Sequence, residues 1–160
     1  MVTKEFIYQL LDEVKDPEIP VLSIVDLGII TGVTLENGAV MIEMTPTFTG
    51  CPALEAIKTD IAGVLTRNGF QDVRIDVTFR TPWTSDRITE KGRQALTGFG
   101  LAPPPLTDLF ADLEILDHAT CPRCGGTDTD LKTPFGSTLC RAIYYCHACR
   151  ESFEQFKPVG

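Results

Sequence analysis

An α+β domain followed by a small metal-held β module is the fold this sequence predicts, and three observations predict it. Apolar residues at helical spacing precede an Asn-Gly hairpin, a faultless two-residue alternation runs through residues 73–80, and two Cys-x-x-Cys pairs close the chain. The chain has 160 residues. That length holds one proper core and a satellite, which places an α+β domain at 1–100, a linker at 101–112 and the cysteine module at 113–160.

The elements follow in the order helix, hairpin, helix, strand, helix. Phe6, Ile7, Leu10, Leu11 and Val14 form a helical stripe, and Asp16-Pro17-Glu18-Ile19-Pro20 stops it, because proline removes donors and restricts the residue before it. A loop through Ser23 and Asp26 leads to two apolar runs flanking Asn37-Gly38, the pair that best fills a two-residue hairpin turn. With that turn Leu35 opposes Val40, Val33 opposes Ile42 and Thr31 opposes Met44. One face is then largely apolar and needs a cover.

The cover is a helix expected to begin at Pro52, where a missing N–H costs nothing, with Leu54, Ile57, Ile61, Val64 and Leu65 as its stripe. Asn68-Gly69 ends it. Val73, Ile75, Val77 and Phe79 then alternate with Arg74, Asp76, Thr78 and Arg80, the pattern of a half-buried strand. Thr81-Pro82-Trp83 breaks that strand, and Ser85 or Asp86 is expected to cap a last helix carrying Ile88 and Leu96. Ala102-Pro103-Pro104-Pro105 reads as a stiff spacer, and Leu106, Leu109, Phe110 and Leu113 recur at a spacing that would dock part of the linker.

Cys121-Pro122-Arg123-Cys124 and Cys146-His147-Ala148-Cys149 can supply four thiolates to one tetrahedral ion, and 21 residues between the pairs leave room for strands. This is the spacing of a zinc ribbon. Four protein ligands leave no open position, so Zn2+ at Cys121, Cys124, Cys146 and Cys149 would be structural; a [2Fe–2S] cluster on the same set is the competing occupant. His147 could replace a thiolate, but the set is complete without it. Thr129–Thr133, Arg141–Tyr145 and Ser152–Phe156 read as the strands, with the turn at Pro134-Phe135-Gly136-Ser137. Cys140 reads as a small hydrophobe on a strand, or as a further metal-handling thiol.

Charge excludes one common use of such a module. Fourteen basic residues stand against 22 acidic ones, and the net charge of −8 is shared by both halves, so no nucleic-acid partner is expected. No stretch reaches the length of a membrane span, and free thiols fit a reducing cytoplasm.

Cys51 follows Thr45-Pro46-Thr47-Phe48-Thr49-Gly50 and precedes the covering helix. There the helix dipole would stabilise a thiolate, helped by the hydroxyls of Thr47 and Thr49, and such a thiolate could bind iron, accept a cluster or attack. A cysteine beside proline can equally well be a packed side chain. Only His118 and His147 could act as a base, so a thiol enzyme has little support. Asp16, Glu18 and Asp26 are nearby loop carboxylates.

Taken together, Asp16-Pro17-Glu18-Ile19-Pro20, Val25-Asp26-Leu27-Gly28-Ile29-Ile30, Thr49-Gly50-Cys51-Pro52 and Val77-Thr78-Phe79-Arg80-Thr81-Pro82-Trp83-Thr84 resemble the iron–sulfur cluster assembly domain family. Cys121-Pro-Arg-Cys124-Gly, Pro134-Phe135-Gly136-Ser137-Thr138-x-Cys140 and Phe153-x-x-Phe156-Lys157 resemble one branch of it, accessory components of the bacterial phenylacetyl-CoA epoxidase system. The resemblance implies a three-stranded mixed sheet and a non-enzymatic role in maturing the ring 1,2-monooxygenase of phenylacetate catabolism. Its implied site is Cys51, handling iron or an iron–sulfur cluster transiently, with Asp16, Glu18, Thr47 and Thr49 as neighbours. Its implied partners are the oxygenase and reductase subunits, clients for a di-iron or an iron–sulfur centre. The alternatives are a pure interaction subunit, or a general cluster carrier, in which Cys51 is structural. A free edge at the second strand or the last would admit a homodimer.

Overall fold

The computed structural model describes residues 1–47, 52–105, 119–138 and 140–158. Two compact units emerge: residues 1–83 with 87–92, and residues 84–86 with 93–160. Among the described residues no helix is long and apolar enough to cross a membrane.

The first unit is a mixed sheet under helices. Helix α1 (Lys4–Leu11) is capped by the Thr3 hydroxyl, which accepts from the Phe6 N–H at 3.2 Å. Ile7, Leu10 and Leu11 are buried on it and Val14 just past its end, while Phe6, expected in the stripe, is an exposed side chain. Strands β1 (Ile30–Glu36) and β2 (Ala39–Met44) form the expected hairpin, with Asn37 and Gly38 both at positive φ, 50° and 82°. Leu35 faces Val40 and Val33 faces Ile42 as the turn dictates. The third expected pair fails, because the register shifts between Ile30 and Gly32 and Ile30 takes the place opposite Met44. The bulge delivers a buried isoleucine to the core face instead of a threonine, whose hydroxyl donates to Glu43 at 3.1 Å.

Helix α3 (Leu54–Arg67) buries Ile57, Ile61, Val64 and Leu65, and both it and α1 contact the sheet. It starts two residues later than expected: Pro52 lies in a turn and Ala53 is the cap, with no side-chain hydrogen bond. Strand β3 (Asp72–Val77) pairs with β2 in parallel, giving the order β1-β2-β3. The second strand is therefore central, and the sheet edges belong to β1 and β3. Strand pairing ends at Val77, so Phe79 leaves the alternation and is 58% exposed.

A one-turn helix that the residue pattern does not predict, α2 (Ile24–Leu27), opens on Ser23, whose Oγ accepts from Asp26 N–H, and closes on Gly28 at φ 80°. Helix α4 (Glu90–Phe99) follows a 3-10 turn at Ser85–Arg87. Its cap is not Ser85 or Asp86 but Thr89, whose Oγ1 accepts from Gly92 N–H at 3.0 Å. Ile88 precedes the helix and is buried.

The second unit is a four-stranded sheet in the order β4-β7-β6-β5. Strands β5 (Thr129–Thr133), β6 (Arg141–Cys146) and β7 (Glu151–Phe156) lie within a residue of expectation. Leu101 and Ala102, assigned by sequence to the linker, instead form a short strand β4 parallel to β7. Arg93 supports the chain after it by donating to the carbonyls of Pro104 and Ser85. Residues 106–112 of the expected linker, with Leu106, Leu109 and Phe110, lie outside the described residues, as does Leu113.

Candidate functional site

The four paired cysteines converge. Their sulfurs all lie within 4.8 Å of one another, with Cys121 to Cys149 at 3.8 Å and Cys124 to Cys146 at 3.6 Å. A tetrahedral ion with metal–sulfur bonds of about 2.3 Å requires sulfur separations of about 3.8 Å, so the set fits a four-thiolate metal centre. Each pair sits in a hairpin of the same design. Gly125 N–H donates to the Cys121 carbonyl at 2.9 Å and Arg150 N–H to the Cys146 carbonyl at 2.8 Å, and both of these donors are at positive φ, 75° and 62°.

Backbone N–H groups point at the sulfurs, as thiolates require. Gly126 N–H lies 3.3 Å from Cys124 Sγ, and a side chain at Gly126 would press within 3.1 Å of that sulfur. The N–H of Cys149, then the Cys124 thiol and the N–H of Ala148, hold the Cys146 thiol down to about 7, while loss of solvent and the neighbouring Cys146 push Cys149 up to about 12. Four crowded thiols thus resist sharing charge until a cation neutralises it. His147 takes no part: its Nε2 lies 2.6 Å from Asp130 Oδ2 and its ring meets Tyr145 edge-on. Cys140 is half-buried just before β6, beside Thr138 Oγ1 at 3.0 Å.

In the first unit, Cys51 and Thr49 lie outside the described residues. Thr47 is half-buried at the end of the segment after β2. Asp16 serves its own loop, because its Oδ1 accepts from the N–H groups of Glu18 at 2.8 Å and Ile19 at 3.2 Å and so locks the proline-bounded turn. Glu18 lies in that turn.

Residue spacing gives no hint of how two of the motifs meet. Trp83 Nε1–H donates to the Leu27 carbonyl at 2.8 Å, Arg87 Nε–H to the Gly28 carbonyl at 2.7 Å, and Thr89 both to the Asp26 carbonyl through N–H and to Asp26 Oδ1 through its hydroxyl at 2.7 Å. Lys91 Nζ bridges Asp26 at 3.3 Å and Asp12 at 3.0 Å. The Asp26-Leu27-Gly28 backbone is therefore clasped by a segment some sixty residues on. Ser23 Oγ donates to Asp12 Oδ1 at 2.6 Å, and this bond, then Lys91, holds the Asp12 carboxyl below its ordinary value. Stability from such a carboxylate is complete above the usual aspartate pKa of about 3.9 and is lost as pH falls through the lowered value. Ser23→Ala should accordingly lower stability near neutrality by an amount that shrinks below about pH 4. Urea unfolding followed by Trp83 fluorescence at several pH values measures this, and a deficit independent of pH would refute the coupling.

A mixed α+β unit with a parallel β2-β3 pair, joined to a four-thiolate β module, defines the class: a small α+β domain carrying a metal ribbon. A family model for "Iron-sulfur cluster assembly protein" matches residues 4–77, and one for "PaaD zinc beta ribbon domain" matches residues 110–157. A protein of Escherichia coli (strain K12), provisionally named as a component of 1,2-phenylacetyl-CoA epoxidase, is 41% identical over 153 residues, covering 96% of this chain and 92% of its own. The chain belongs to the PaaD family, the ribbon-bearing branch of the iron–sulfur cluster assembly proteins. An Fe-S protein maturation auxiliary factor of Porphyromonas gingivalis is 40% identical over 56% of this chain and 86% of its own. The crystal structure of a domain of unknown function from Bacillus anthracis superposes with a TM-score of 0.54 at 34% identity, covering 57% of this chain and 89% of that one.

Proposed function

We propose that this chain is a non-catalytic accessory component of a phenylacetyl-CoA epoxidase system, assisting assembly of the iron–sulfur or di-iron centre on its reductase or oxygenase subunit. The observation that carries the reading is the union of both modules in one chain, aligned over 96% of its length with the Escherichia coli epoxidase component. Zinc at Cys121, Cys124, Cys146 and Cys149 has a structural role here, because four thiolates leave no exchangeable position for a substrate. Cys51 handles iron or a cluster in passage, and the ribbon docks a partner.

The test is Cys51→Ser in cells that co-express both clients. The expected result is depleted metal in one of them, measured as iron and acid-labile sulfide per purified subunit. Full occupancy of both would overturn the reading. A pure interaction subunit is favoured by one observation, that Asp16 Oδ1 accepts two backbone N–H bonds of its own turn. It predicts that Cys51→Ser leaves both clients loaded while Cys51→Arg, which disrupts packing, does not.

A further inference from the structure

Strands β2 and β3 run in parallel with α3 between them in the chain, so their carboxyl ends, and the connection that leaves β2, lie at one end of the sheet. In open sheets with parallel strands, ligands bind at that end. The ladder continues one step past the strands there. Thr45 N–H donates to the Ile29 carbonyl at 2.8 Å, and the Met44 carbonyl accepts from Thr78 N–H at 2.9 Å. The Met44–Thr45 peptide group is thus held from both sides, on one of them by the residue that follows the clasped Gly28.

The Thr45 side chain is not so provided for. In the alternation of β2 it shares the phase of Met41, which is 43% exposed, and of Glu43, which is half-buried, yet Thr45 is 0% exposed. Its buried hydroxyl has no hydrogen-bond partner among the described residues. Leaving such a group unpaired costs free energy that an isosteric valine would not incur. Thr78, the buried threonine that follows β3, is satisfied: its Oγ1 accepts from the N–H and Nε–H groups of Arg80, both at 3.1 Å. Thr45 stands at the head of the connection that carries Thr47 and Cys51.

We infer that the Thr45 hydroxyl is the hydrogen-bond donor for an anionic ligand of the iron this unit handles, a thiolate, sulfide or hydroxide bound to the metal. A charged acceptor forms the strongest bond with a neutral donor kept dry, and donors of this kind orient a metal's ligands and favour their charged form. The hydroxyl is satisfied when cargo is present, and it adds affinity without touching the metal. This rests on the iron-handling role proposed above and gives it a residue beyond Cys51.

The test uses the full chain with zinc on its four ribbon thiolates, and ferrous iron as the probe under anaerobic conditions. Thr45→Val should leave the urea midpoint of the iron-free chain, read by Trp83 emission, unchanged or higher. It should weaken iron binding, measured by chelator competition, about tenfold or more. Thr45→Ser, which keeps the donor, should restore most of that affinity. A lower midpoint for Thr45→Val without iron would show that the hydroxyl serves the fold through a buried water, and would overturn the inference. Unchanged iron affinity, failure of serine to restore it, or no saturable binding by the unaltered chain would do the same. If Cys51→Ser starves the clients of metal while Thr45→Val binds iron normally, the assignment of Thr45 fails and the maturation reading stands.

Discussion

Replacing Cys146 with serine is expected to unfold the ribbon sheet while Trp83 stays buried. Among the described residues, the buried apolar cluster of that sheet includes two of its own ligands, Cys121 and Cys146, beside Ala102, Ala119, Ala142, Tyr144 and Phe153, with Leu131 and the third ligand Cys149 packed against it. A core that draws on its own ligands packs fully only when the ion holds them together, and structural zinc supplies roughly 10–16 kcal/mol apparent near neutral pH. Serine is a poor ligand for that ion, and its loss removes most of this term. The single tryptophan, Trp83, is 4% exposed and bonded to Leu27 within the first unit, so it reports on that unit. Amide spectra of β5–β7 should collapse in the variant, or on chelation, with the indole emission unchanged. Persistence of the ribbon's dispersed amides without metal would show that its packing is self-sufficient.

Gly28→Ala should destabilise the first unit by about 2–5 kcal/mol. Gly28 closes α2 at φ 80°, a conformation that strains any side chain, and a Cβ there would lie 2.6 Å from Arg87 Cβ and closer still to the Arg87 carbonyl oxygen. Relief requires Arg87 to retreat, which breaks its bond to the Gly28 carbonyl and loosens the clasp that Trp83 and Thr89 complete. Urea titration followed by Trp83 emission measures the loss. A change below about 0.5 kcal/mol, the scatter of an ordinary surface substitution, would mean that the clasp does not hold this loop.

The parts of this architecture that were legible in the amino-acid order are those set by neighbours in the chain. Asn37-Gly38 dictates its own turn and thereby two cross-strand pairs, and the Cys-x-x-Cys spacing dictates four ligands that the fold does bring together. Helix α2 is a single turn, too short for a 3.6-residue period to register, although Ser23 and Gly28 mark its ends. Strand β4 has two residues and exists only through pairing with β7, about fifty residues away. The bulge at Thr31 arises because burying Ile30 outweighs regular pairing, a tertiary preference. The clasp on Asp26-Leu27-Gly28 is made largely to backbone carbonyls, which leave no trace in residue type. Asp16 accepts two backbone N–H bonds within its own turn through Oδ1, a use that an aspartate before proline signals no more strongly than it signals a ligand. The positions of Cys51 and Thr49 lie outside the described residues.

The four sulfurs of the ribbon do not meet solvent equally: Cys121 and Cys146 are buried, Cys149 is half-buried and Cys124 is exposed. Cys124 therefore offers an incoming chelator its most open approach. Demetallation should begin by displacement of that one thiolate, so its rate rises with chelator concentration instead of waiting on global opening of the sheet. The centre is then kinetically one-sided, most open at Cys124, half-shielded at Cys149 and closed at Cys121 and Cys146.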